Sequence, residues 1–119
     1  MPAPGSPLHV TTTEGVTVVT FRDRILLDTE ELKIIEAELI KMLGEQRGFK
    51  LVIDFNNVQT LSSQMLGTLL KVSEALKPSE GRLSLCNLNG KIKEAFEITN
   101  LKKIFKIHAS QLAAVKAVR

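Results

Sequence analysis

The stretch Phe49-Lys-Leu-Val-Ile-Asp-Phe55 constrains the fold of this chain more than any other. Only Lys50 and Asp54 interrupt an apolar run, which is the pattern of a strand covered on both faces. A strand of that kind sits inside a sheet layered between helices. The flanking sequence supplies helices on either side of it. Asp28-Thr-Glu-Glu31 opens the first: Asp28 can cap free backbone N–H groups, and Glu31 can reach back as in a capping box. Leu32, Ile35, Leu39, Met42 and Leu43 follow at three- and four-residue steps, and Gly44 or Gly48 ends the helix. A second helix is expected over Ser62–Lys77, with Leu66, Leu69, Leu70 and Leu76 on one side and Pro78 and Gly81 as its stop.

The remaining elements complete an alternating order. Leu8–Thr13 and Val16–Phe21 flank Glu14-Gly15 and read as a β-hairpin. Arg82–Cys86 is a short strand, Lys91–Glu97 a third helix and Ile104–Ile107 a last strand. Ser110 caps a terminal helix carrying Leu112, Ala113, Val115 and Val118. Helical crossovers between strands demand a mostly parallel sheet, and the opening hairpin makes it mixed. The expected fold is therefore α/β, a central mixed sheet with helices packed largely on one face. With 119 residues, one domain over 8–119 is expected. Residues 1–7, with three of the four prolines, read as a flexible N-terminal arm.

Composition excludes several classes. At 44% hydrophobic and 24% charged residues the chain is neither disordered nor fibrous, and no run is long enough for a membrane span. The N-terminus lacks the basic start and apolar stretch of a secretory signal, so a cytoplasmic protein is expected. The lone Cys86 forms no intrachain disulfide, and its strand position predicts a buried, inert thiol. Residues 1–81 carry eight basic and eleven acidic side chains, and residues 82–119 carry eight and two. That basic C-terminal third reads either as solvated lysines or as a face for an acidic partner. No nucleic-acid motif accompanies it, so direct DNA binding is not expected.

Neither phosphate-cradling glycine loop is present. A Ser63, His108, Asp54 set lacks the elbow that frames a nucleophilic serine, and His108 reads as an exposed loop residue. No enzyme, metal or cofactor is implied. The informative segment runs from Leu51 to Leu70. A buried strand ends in Asp54, Asn56 and Asn57; Gln59 and Thr60 follow; then Ser62, Ser63 and Gln64 open a helix containing Gly67. One serine there is explained as an N-cap, a contribution of about 1 kcal/mol. A second serine is not needed for capping. A helix start also favours a phosphate, and a phosphoserine adds roughly −1.5 to −2 charge. Gly67 reads either as a tolerated defect or as a site where another backbone comes close.

These residues resemble the STAS domain of bacterial anti-sigma factor antagonists. The resemblance covers residues 8–118. Val52-Ile-Asp-Phe and Leu61-Ser-Ser-Gln-Met-Leu-Gly67 are similar to the family's strand, Asp, nine-residue step and phosphorylatable Ser, which falls on Ser63. Residues 81–86, 92–101 and 104–107 fit the family's closing β-α-β. Three positions depart from the pattern: Ser62 stands where Asp is common, Met65 where Gly is common, and Asn100 where Gly is frequent. The resemblance implies a non-enzymatic partner switch. The unphosphorylated form binds an anti-sigma factor that is also a serine kinase and so frees a sigma factor; phosphorylation at Ser63, or alternatively Ser62, breaks the complex, and a phosphatase restores it. The implied contact surface is Asp54, Asn56, Asn57, Gln59, Thr60, Ser62, Ser63, Gln64 and Gly67, on a monomer or homodimer. The alternative is a scaffold or regulatory subunit of a signalling or lipid-transport assembly that is never phosphorylated.

Overall fold

The computed structural model describes residues 5–44 and 46–119. β1 (Leu8–Thr13) and β2 (Val16–Phe21) form the antiparallel hairpin, and its turn residues Glu14 and Gly15 both have positive φ. That is the backbone a two-residue turn needs to match strand twist. β4 (Lys50–Asp54), β6 (Arg82–Cys86) and β7 (Lys106–His108) add in parallel, giving the order β1-β2-β4-β6-β7. The sheet is mixed, as expected, and β4 lies at its centre.

β4 divides its side chains between two layers. Leu51 and Ile53 join Leu32, Ile35, Leu39 and Leu43 of α1 (Thr29–Leu43) and Met65, Leu69 and Val72 of α2 (Ser63–Leu76). Ile92 and Phe96 of α3 (Gly90–Ile98) extend the same cluster. Val52 faces the other way, with Val16, Val18 and Cys86, against Ala114, Val115 and Val118 of α4 (Gln111–Val118). Three helices thus cover one face and α4 covers the second. This is why the β4 run lacks alternation: each side chain meets a helix whichever way it points. At the α2–β6 turn a Cβ on Gly81 would press on the Leu76 side chain and lie 3.1 Å from the Phe49 carbonyl, so glycine lets the chain pass close here.

Several sequence expectations need correction. The last strand is Lys106–His108 rather than Ile104–Ile107. Asn100 takes the left-handed conformation (φ 62) and starts a 3-10 turn, Leu101–Lys103, that carries Phe105 into the core. There Phe105 packs edge-on against Phe96, with ring centroids 5.8 Å apart. His108 therefore lies in β7, half-buried, rather than in an exposed loop. In α4 the buried face is Ala114, Val115 and Val118; Leu112 and Ala113 face outward. The capping box at α1 is half formed: Glu31 N–H donates to Asp28 Oδ1 (3.0 Å), but the Glu31 carboxylate turns towards Asp23. Two very short strands, β3 (Ile25–Leu26) and β5 (Thr60–Leu61), pair in parallel outside the main sheet. Of the N-terminal arm, residues 1–4 lie outside the described residues. Ser6 is buried; its hydroxyl donates to Glu38 Oε2 (2.6 Å) and accepts from Leu8 N–H (3.0 Å).

Candidate functional site: the β4–α2 loop and the start of α2

The β4–α2 loop is held from below and from both sides. Asp54, 4% exposed, ends β4 on the α4 face. Its Oδ1 accepts from Asn56 N–H (2.8 Å) and Asn87 Nδ2 (3.0 Å), and its Oδ2 accepts from Gln111 Nε2 (2.9 Å). One carboxylate thereby ties the ends of β4 and β6 to the start of α4. Asn57 Nδ2 donates to the carbonyls of Phe21 and Arg22, both at 3.2 Å. Gln59 N–H donates to Arg24 O (2.7 Å), and Ser62 N–H to Leu26 O (3.0 Å). On the other flank, Asn89 Nδ2 donates to Val58 O (3.3 Å) and Gln59 O (2.9 Å), while its Oδ1 caps α3.

The two serines separate clearly. Ser62 is the N-cap of α2: it is half-buried, and its Oγ accepts from Met65 N–H at 3.4 Å. Ser63 is the first helical residue, exposed, with no side-chain hydrogen bond among the described residues. The first turn of α2 holds no acidic residue, whereas that of α1 holds Glu30 and Glu31. The partial positive charge at the start of α2 is therefore left without a carboxylate from its own turn. Asn56, Asn57, Gln59 and Gln64 are exposed around Ser63, and Thr60 is half-buried. Gly67 is half-buried, and a Cβ there would meet nothing within 4 Å outside its own helix turn among the described residues.

Asp54 stands apart from the rest of the expected surface, buried beneath the loop it positions. It also acts on its neighbour: burial first, then the charge of Asp54 and a hydrogen bond to it, push the Cys86 thiol up to about 12. A thiol so shifted is almost entirely protonated at neutral pH and a poor nucleophile. Ser63, His108 and Asp54 are not joined as a triad, because the Asp54 oxygens are taken by Asn56, Asn87 and Gln111. Sequence reasoning missed Asn87, Asn89 and Gln111 as positioning residues. Asn87 has φ 58, a backbone state that asparagine tolerates, but no local pattern connects it to Asp54. It also missed Ile25, in β3, and Leu27, just after it, each 52% exposed beside the loop.

A family model described as STAS domain matches residues 8–114. The chain belongs to the STAS domain family. Among curated relatives, BtrV of Bordetella bronchiseptica, described as a candidate anti-sigma factor antagonist, is 34% identical over 87 residues. That match covers 71% of this chain and 72% of BtrV. Among solved structures, an anti-sigma-factor antagonist (STAS) domain protein from Planctomyces limnophilus superposes with a TM-score of 0.86 at 20% identity, over 93% of this chain and 97% of that one. SpoIIAA, the Bacillus cell fate determinant, in its phosphorylated form gives a TM-score of 0.69 at 18% identity, over 94% of this chain and 99% of that one. At these identities the two structures establish the shared fold. No helix among the described residues is long and apolar enough to cross a membrane.

Proposed function

We propose that this STAS protein is an anti-sigma factor antagonist that works as a phosphorylation-controlled partner switch. Unphosphorylated, it binds an anti-sigma factor with serine kinase activity and so frees a sigma factor. Phosphorylation of Ser63 breaks that complex, and a phosphatase restores it. The observation that carries the reading is the division of labour between the serines: Ser62 caps α2, which leaves the Ser63 hydroxyl exposed and without a structural duty. A phosphate on Ser63 would sit at the uncompensated start of α2 and leave the cap in place. The fold would survive while roughly −1.5 to −2 charge entered the middle of the contact surface. The name of BtrV, an anti-sigma factor antagonist, supports the antagonist part of this reading.

The partner contacts are assigned to Asn56, Asn57, Gln59, Thr60, Ser62, Ser63, Gln64 and Gly67, with Asp54 holding the loop from beneath. Docking an anti-sigma factor here would be opposed after phosphorylation by the cost of desolvating the phosphate and by like charges opposite it. Incubation with the cognate kinase and ATP, followed by peptide mass spectrometry, tests the assignment. One phosphate on Ser63 is expected, and Ser63→Ala should take up none. Phosphate on Ser62 would move the switch to the cap. No phosphate at all would replace the switch with an unphosphorylated scaffold.

A further inference from the structure

β1 and β7 form the two edges of the main sheet, and they differ in kind. The β7 edge is three residues long, carries Lys106 and follows Lys102 and Lys103. Short edges and lysines keep sheets from pairing side by side. The β1 edge is six residues, Leu-His-Val-Thr-Thr-Thr, with no proline, lysine, arginine or carboxylate and in unbroken register with β2. Arg22 N–H donates to Pro7 O, which makes Pro7 and Arg22 a hydrogen-bonded pair. The ladder alternates from there: His9, Thr11 and Thr13 bond inward to β2, and Leu8, Val10 and Thr12 turn their N–H and C=O outward. The Leu8 N–H is taken by Ser6 Oγ. The N–H and C=O of Val10 and Thr12 have no partner among the described residues, and the side chains of Thr11, Thr12 and Thr13 are exposed.

We propose that β1 is a docking edge for a second copy of this chain, paired antiparallel about a two-fold axis through Thr11. The Ser6 contact decides the register. With the axis at Thr11, Val10 of one copy faces Thr12 of the other, and the outward N–H and C=O of both residues are satisfied on each chain. An axis at Val10 would set Leu8 opposite Thr12, and the Leu8 N–H is already taken. Across the Thr11 axis no Lys, Arg, Asp or Glu meets its own copy. Thr11 faces Thr11 and His9 faces Thr13, and threonine pairs of this kind favour a sheet. The same operation at β7 would crowd the lysines of two copies together. The two-fold pairing uses up both β1 edges, so association there stops at two. Six residues span about 20 Å. A strand pair of that length falls below the roughly 1,200 Å² of a stable interface, so the pair forms and dissociates with concentration. None of these residues belongs to the Ser63 surface.

The test is sedimentation of the full chain from micromolar to millimolar concentration, with amide hydrogen exchange at both ends of that range. The mass should rise from one chain towards two, and exchange at Val10 and Thr12 should slow as it does. Thr11→Cys, at an exposed position, should give a disulfide-linked dimer on air oxidation, since the two Cα atoms on the axis lie about 4.5 Å apart. Thr13→Cys should not, because its two copies lie four residues, about 14 Å, out of register. Cys86 is buried and does not interfere. Thr11→Lys puts two ammonium groups on the axis and should weaken association about fivefold with Tm unchanged. A one-chain mass up to millimolar concentration, a dimer that forms equally well with Thr11→Lys, or equal cross-linking through positions 11 and 13 would overturn the proposal.

Discussion

Single side chains decide how this surface can be modified without unfolding it. Ser62→Ala removes the α2 cap and should lower stability by about 1 kcal/mol. Ser63→Ala removes no hydrogen bond and should stay within about 0.5 kcal/mol of wild type. Chemical denaturation of the two variants measures the difference, and equal losses would show that both hydroxyls serve the helix. Asp54→Ala leaves Asn87, Gln111 and the Asn56 N–H without their shared acceptor and should cost about 2–3 kcal/mol. Glu31 makes the fold pH-sensitive. Burial, together with a hydrogen bond and the charge of Asp23 and then the charge of Asp28, raises its carboxyl from 4.5 to about 7. The folded chain thus keeps a proton that the unfolded chain releases at lower pH. Its contribution to stability is complete below about pH 4.5 and is lost as pH rises through 7. Glu31→Gln should flatten that part of the Tm–pH curve; an unchanged slope would assign it to other groups.

At the scale of elements, the α2 face is set by Leu69, fully buried between α1 and the sheet. Leu69→Asp would bury an unpaired charge and should abolish cooperative unfolding at ambient temperature. A variant melting like wild type would contradict the packing. Elements with a strong local signature were legible in the sequence: the doubly covered β4, the Glu14-Gly15 hairpin, and the capped helices α1 and α2. What escaped has a physical reason. β3 and β5 are two residues each, too short for any periodicity, yet they hold the loop before Ser62. The run Ile104–Ile107 reads as a strand, but the left-handed Asn100 spends its first half on a turn that plugs Phe105 into the core. The Ser63 region was visible as a motif. Which serine caps and which is free was not, because either could bond the first turn and only the backbone at Ser62 settles it. The role of Asp54 was hidden for a similar reason, since its partners come from 33 and 57 residues away.

For the whole molecule, two kinds of surface differ in charge: the polar, uncharged stretch of residues 56–64, with Ile25 and Leu27 beside it, and residues 82–119, which carry eight basic and two acidic side chains. A switch placed on the first can change charge without disturbing the core, because Asp54 and the α2 cap hold the backbone independently of Ser63. The central claim is therefore that charge at Ser63 controls docking while the fold stays the same. Its most direct test is calorimetric binding to the cognate anti-sigma factor for wild type, Ser63→Ala, Ser63→Asp and Ser62→Asp, with Tm recorded for each. The account predicts that wild type, Ser63→Ala and Ser62→Asp bind, the last because Asp is itself a good cap. Ser63→Asp should fail to bind while melting close to wild type. Loss of binding in Ser62→Asp with retention in Ser63→Asp, or tight binding by all four, would contradict it.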